Sequence, residues 1–194
     1  MNLPNKLTLT RVILIPFFLL FMYWKIPFHY LIALAVFSAA SITDALDGKI
    51  ARKNNLVTNF GKFLDPLADK VLVIAALTVF VDLDEVNMGA IPLIIISARE
   101  FMVSGLRLLA ANSGTVVAAG IWGKLKTAFT MVAIIAILLW LSLRGDFSVS
   151  FPEGIVSAVE DILTPVLIWI ATVLTIISGV IYLKGYWNLI DSDK

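Results

Sequence analysis

The chain has 194 residues, 60% of them hydrophobic and only 15% charged, and its 15 Lys and Arg nearly balance 14 Asp and Glu to leave a net charge of +1. Such a composition excludes an ordinary soluble domain, and the absence of cysteine excludes a disulfide framework and a thiolate metal site. Several apolar runs are long enough, at about 1.5 Å rise per residue, to cross a hydrocarbon core about 30 Å thick, and the alternation of a membrane β-strand is missing. The expected fold class is therefore all-α, a polytopic membrane protein.

The chain opens with Leu3-Pro4-Asn5-Lys6-Leu7-Thr8, which reads as a short interfacial helix leading into a first span over 7–24. Pro16 interrupts that run and no A-x-A cleavage site follows, so a signal peptide is rejected. After Lys25-Ile26-Pro27 a second span covers 28–41 and extends to 50. A break at Lys53-Asn54-Asn55 precedes a third span over 61–81, and residues 82–89 lead to a fourth over 90–111. Asn112-Ser113-Gly114 turns the chain toward a fifth span over 124–143, residues 144–161 are given only a connecting role, and a sixth span covers 162–182. No internal repeat is evident, so 1–194 is taken as one domain.

Six spans put both termini on one side. Lys6, Lys49, Arg52, Lys53, Lys62, Arg107, Lys124, Lys126 and Lys184 fall on that side and Lys25 and Arg144 on the other, which makes the termini cytoplasmic by the positive-inside bias. Trp24, Tyr30, Tyr182, Tyr186 and Trp187 lie near span ends, as in an aromatic belt, and the single histidine, His29, reads as interfacial.

The greatest departure from a lipid-adapted sequence is DALDGKIARKNNLVTNFGKFLDPLAD, residues 44–69. Asp44 and Asp47 are three apart and Asp65 and Asp69 four apart, so on helices each pair projects from one face. If the second and third helices pack as antiparallel neighbours, four carboxylates converge at the cytoplasmic end. Unpaired, they would repel strongly in a poorly hydrated setting. Hard oxygen donors without His or Cys favour Mg²⁺, Mn²⁺ or Ca²⁺, and four carboxylates with open positions suit a two-metal site that also holds phosphate oxygens. Gly48, Ala51 and Gly61 leave room for a ligand, and Arg52 offers a planar fork for phosphate. Taken singly, each of these residues has a purely structural reading as well: solvated carboxylates, ion pairs, or close helix packing.

As a pattern, D-x-x-D-G-x-x-A-R, eight residues, then G-x-x-x-D-x-x-x-D resembles the signature of the CDP-alcohol phosphatidyltransferase family at Asp44, Asp47, Gly48, Ala51, Arg52, Gly61, Asp65 and Asp69. The resemblance implies a six-span bundle with a cytoplasm-facing polar cavity, often dimeric, that moves a phosphatidyl group from a CDP-linked donor to an alcohol and releases CMP. It implies Mg²⁺ or Mn²⁺ in a two-ion site on Asp44, Asp47 and Asp65, with Asp69 as general base and further metal contact. Gly48, Ala51, Arg52 and Gly61 would line the donor's place.

The signature says little about the acceptor alcohol. Glu100 and Arg107 are seven apart, two helical turns, and face the same way, while Lys124 and Lys126 arrive from the next span. These cations could form an anion pocket, or could merely orient the helices in the membrane. The opening LPNKLTLTR, the segment AREFMVSGLR and the segment GKLKT also resemble the bacterial branch of the family that uses CDP-diacylglycerol and sn-glycerol 3-phosphate. This narrower resemblance implies residence in the bacterial cytoplasmic membrane, lipid as a partner and no nucleic acid. It brings Asn5 and Thr8 toward the donor, and Arg11 with Arg107, Lys124 and Lys126 toward the acceptor phosphate. Two alternatives are the same chemistry with phosphatidylglycerol as acceptor, and a divalent-cation transporter; the apolar run 71–81 beyond Asp69 argues against the latter.

Overall fold

A computed structural model describes residues 3–53, 59–112 and 120–187, and within these the side chains of 3–5, 44–53, 59–66, 69 and 111–112 fall outside the description. Every regular element among the described residues is helical: α1 (Leu3–Tyr23), α2 (His29–Lys53), α3 (Asn59–Asp82), α4 (Ala90–Asn112), α5 (Ile121–Leu141), α6 (Glu153–Ser157) and α7 (Thr164–Gly185). A 3-10 turn at Asp84–Val86 lies between α3 and α4, and π-helical stretches occupy Ser142–Asp146 and Ala158–Leu163.

Two features differ from the sequence-based expectation. The opening segment is no separate interfacial helix, because α1 runs unbroken from Leu3 and continues through Pro16. The stretch 144–161 is more than a connection. Pro152 stands at the start of α6 with φ −55°, Glu153 follows in its first turn, and the π-helical residues carry the path into α7. A proline at the entry and an acidic residue in the first turn both favour a helix start.

Among the described residues, Lys6–Tyr23, Ile121–Asp146 and Glu153–Gly185 are long and apolar enough to cross a membrane, and His29–Thr43 is a shorter apolar stretch. α3 and α4 interrupt their apolar runs with charge: Lys62, Asp65, Asp69 and Lys70 in one, Arg99, Glu100 and Arg107 in the other. Large apolar side chains such as Ile91, Ile94, Leu108, Val132, Trp169 and Val173 point outward. An apolar exterior of this extent fits a hydrocarbon solvent rather than water.

The interior follows from residue spacing. On α1 the buried residues Thr8, Arg11, Ile15, Phe18 and Met22 recur at alternating intervals of three and four, which draws one stripe along the helix. That stripe faces α2 and α3. α2 answers with Ala33, Phe37 and Ala40, all fully buried, and the Phe18 and Phe37 rings meet at 5.8 Å between centroids. α3 buries Leu72, Val73, Ala75, Ala76, Leu77, Val79 and Phe80 over most of its circumference, leaving one stripe of Leu67, Val71 and Thr78 exposed. α7 packs on α4 and α5 through Ala171, Thr172, Thr175, Ser178 and Gly179. Small residues permit close approach there, and the Thr172 and Thr175 hydroxyls donate to the carbonyls one turn back.

At one end of the bundle the segment after α5 locks onto the start of α2. Asp146 accepts from the backbone N–H groups of Tyr30, at 3.4 Å, and Leu31, at 2.6 Å. These are orphan donors of a helix N-terminus, which a carboxylate satisfies and whose dipole it complements. Gly145 lies under the Tyr30 ring so closely that a β-carbon would stand 2.7 Å from it. Phe28, with φ at 61° in the left-handed region, packs edge-on against Phe147 at 5.5 Å. Glu160 accepts from Arg144 and from the Trp140 indole, and Tyr23 donates to Asp82 at 2.6 Å. Replacing Asp146 with Ala removes both acceptors and is expected to cost about 1 kcal/mol, in the range of lost helix caps. A thermal midpoint in detergent unchanged from the parent protein would contradict this account of the clamp.

Candidate active site

The opposite end of the bundle gathers the beginning of α1, α3 and α5 and the end of α2, α4 and α7. On α1 the buried stripe turns polar there: Arg11 is 0% exposed and Thr8 1%. In the antiparallel register that brings Phe18 against Phe37, seven residues back along α1 matches seven forward along α2. Position 11 thus lies level with position 44, and position 8 level with position 47. Asp44, Asp47, Gly48, Ala51 and Arg52 occupy the last turns of α2, and Gly61, Asp65 and Asp69 the first turns of α3. Their side chains, and that of Asn5, lie outside the described set.

Beside this end lies a cavity of about 420 Å³ walled by Lys70, Arg99, Glu100, Val103, Ser104, Arg107, Gly123, Lys124, Thr127 and Ala128. It brings together Arg107 and Lys124, and it reaches α3 at Lys70, the residue after Asp69. Lys126 lines a narrow adjoining cleft with Lys70, Glu100 and Thr130. A larger cavity, about 530 Å³, lies at the clamp end between Arg144 and Asp161, away from every site residue expected from the sequence.

Glu100 organises the cavity wall. Its Oε1 accepts from the buried Lys126 ammonium and, at 3.1 Å, from Arg99 Nη1. The Arg99 Nη2 donates to Ser178 Oγ at 2.6 Å, which ties α4 to α7. Arg107 Nη2 donates to the Tyr182 hydroxyl at 2.7 Å, and the same hydroxyl accepts the Gly120 N–H at 3.1 Å. Both guanidinium carbons lie over the Tyr182 ring, Arg99 at 5.6 Å and Arg107 at 5.3 Å. Gly179 belongs to this arrangement, since a β-carbon there would come within 3.1 Å of Arg99 Cγ.

Among the described residues on the cavity wall, Lys70, Arg99, Arg107 and Lys124 outnumber the one carboxylate, Glu100; their charge suits an anion, and the guanidinium fork suits phosphate. Lys70, Arg99, Ser178 and Tyr182 were not singled out from the sequence. Arg99 stands beside Glu100 in the AREFMVSGLR segment and Lys70 beside Asp69, which were the available signals. Ser178 and Tyr182 arrive from a helix some 75 residues later and carry no local signature.

The described residues thus form an apolar helical bundle in which the last turns of α2 and the first turns of α3 carry the aspartates in sequence, with a cavity walled mainly by cations beside them. A family model described as CDP-alcohol phosphatidyltransferase matches residues 1–177, and the chain belongs to that family. Three relatives carry the name CDP-diacylglycerol--glycerol-3-phosphate 3-phosphatidyltransferase. The one from Bacillus subtilis (strain 168) is 43% identical, over 100% of this chain and 99% of the relative. The one from Rickettsia typhi is 42% identical over 95% and 96%. The one from Escherichia coli (strain K12) is 39% identical over 95% and 94%.

Breaking the Glu100 ion pair from one side would leave Lys126 buried without its carboxylate. Glu100→Ala is expected to destabilise the protein by about 3–5 kcal/mol, whereas Glu100→Leu combined with Lys126→Met, which removes the Lys126 charge as well and leaves Arg99 its bond to Ser178, recovers part of that loss. Thermal unfolding in detergent measures both, and a double variant no more stable than Glu100→Ala would refute the pairing argument.

Proposed function

We propose that this chain transfers the phosphatidyl group of CDP-diacylglycerol to sn-glycerol 3-phosphate, forming phosphatidylglycerol phosphate and CMP. The observation that carries the reading is the full-length similarity to relatives bearing that activity in their name, joined to a cation-walled cavity that reaches α3 one residue from Asp69. An acceptor that itself carries phosphate gives that charge a purpose, where a neutral alcohol would not.

On this reading the acceptor hydroxyl oxygen bonds to the phosphorus of the phosphatidyl group. The bond from that phosphorus to the bridging diphosphate oxygen breaks, and its electron pair leaves with CMP. Asp69 takes the hydroxyl proton as general base. Arg107 and Lys124 hold the acceptor phosphate from the cavity wall, with Lys126 behind them in its pair with Glu100. Gly48, Ala51, Arg52 and Gly61, with Asn5 and Thr8 from α1, take the donor side, and Arg11 stands level with Asp44 between the two.

Mg²⁺ or Mn²⁺ is the cofactor this donor set fits. The four aspartates are hard oxygen ligands, the chain has no cysteine, and His29, the single histidine, starts α2 about 22 Å of helix away from Asp44. Asp44, Asp47, Asp65 and Asp69 would hold a pair of such ions, which when bound supply neutralising charge to the diphosphate.

The helices α1 to α5 and the 153–185 path make six crossings in this reading, as a single domain. The termini and the cavity face the cytoplasm, because the clamp end carries Asp82, Asp84, Glu85, Asp146, Glu153, Glu160 and Asp161, while the basic residues concentrate at the cavity end. The bacterial cytoplasmic membrane is the implied location, and a homodimer the implied assembly.

Purified protein incubated with CDP-diacylglycerol, Mg²⁺ and a single acceptor at a time tests the assignment. Release of CMP with glycerol 3-phosphate is the expected result; release only with phosphatidylglycerol or another alcohol would replace it. Asp69→Asn is expected to lower turnover by at least about a hundredfold while donor binding persists, because an amide cannot accept the proton. Near-normal turnover removes Asp69 from that role. Arg107→Ala is expected to raise the KM for glycerol 3-phosphate far more than that for CDP-diacylglycerol, and equal effects on the two substrates would count against an acceptor-phosphate contact.

A further inference from the structure

We infer that Tyr182 is a positioning residue that sets acceptor selectivity by aiming Arg107 into the cavity. The inference deepens the reading above and rests on glycerol 3-phosphate being the acceptor.

Tyr182 lies near the end of α7 and is 5% exposed. Its hydroxyl accepts from two elements at once: Arg107 of α4 at 2.7 Å and the Gly120 N–H at the head of α5 at 3.1 Å. Its ring lies beneath both Arg107 and Arg99 and against Gly123, where a β-carbon would come to 3.6 Å from the ring edge.

An arginine side chain has several rotatable bonds, and in a cavity of about 420 Å³ it has many poses. The hydrogen bond takes one guanidinium nitrogen, and the ring face fixes the plane, so the remaining N–H groups keep one direction. Binding a phosphate then orders less of the side chain, which favours affinity for the anionic acceptor over a neutral one. Arg99 has a separate anchor in Glu100 and Ser178, so loss of the Tyr182 hydroxyl acts mainly on Arg107.

The test is Tyr182→Phe, which keeps the ring and removes the hydroxyl, in full-length protein in detergent. Initial rates are taken with CDP-diacylglycerol and glycerol 3-phosphate varied separately, and with glycerol as an acceptor lacking phosphate. The expected result is about a tenfold rise in KM for glycerol 3-phosphate, with kcat and the KM for CDP-diacylglycerol within about twofold of the parent. The preference for glycerol 3-phosphate over glycerol, as a ratio of kcat/KM, falls by a similar factor. That ratio does not depend on the fraction of folded enzyme, so a partly unfolded variant still gives an answer. In an Arg107→Ala background the same substitution should add less than about twofold, since the two residues act as one unit.

An unchanged acceptor preference, or a full tenfold effect persisting without Arg107, would overturn the inference while leaving the proposed reaction standing. Parent enzyme that releases CMP with another alcohol but not with glycerol 3-phosphate would remove the acceptor assignment and the inference with it.

Discussion

A buried carboxylate shared by two cations underlies the arrangement of α4, α5 and α7. Lys126 comes from the first turns of α5 and Arg99 from α4, and neither could be taken out of water without an opposite charge; Glu100 supplies one to both. Once Arg99 is held, its second nitrogen reaches Ser178, and α7 is drawn in until only Gly179 fits beneath the arginine stem. The approach of α7 in turn brings Tyr182 under Arg107. One ion pair therefore fixes the spacing of three helices, and the cavity is the space left between their ends.

The bundle divides its polar residues between two groups of helices. α2 and α3 carry the aspartates of the family signature, while α4, α5 and α7 carry the cations and the residues that hold them. Lys70 is the seam between the halves, next to Asp69 in sequence and on the cavity wall in space. On the proposed reading, such a division lets the acceptor side change without disturbing the donor side. It also accounts for a family pattern confined to residues 44–69 that is silent about the alcohol.

Much of this was legible in the sequence, and the reasons are local. Apolar runs bounded by Lys25-Ile26-Pro27 or Asp82 to Gly89 announce helices, and the observed elements begin and end within a few residues of those breaks. The three-and-four spacing of the aspartates and the seven-residue spacing of Glu100 and Arg107 are periodicities within single helices, visible without knowing what packs on what. What could not be read was anything made by two distant segments. Tyr182 reads as one more aromatic at a span end, because its meaning depends on Arg107 and Gly120. Asp146 reads as an outer-side acid, because its partners are backbone groups more than a hundred residues earlier. The π-helical turns leave no mark in composition either, so 144–161 looked like a plain connection.

The contact of Asp146, Gly145 and Phe147 with the head of α2 has a mechanical consequence. It ties the fifth helix to the second at one pole of the bundle, as the bonds of Glu100, Arg99 and Tyr182 tie α4, α5 and α7 at the other. The pin acts on the first turn of α2, whose last turns carry Asp44 and Asp47, so it sets the rotation of that helix about its own axis at the end far from the aspartates.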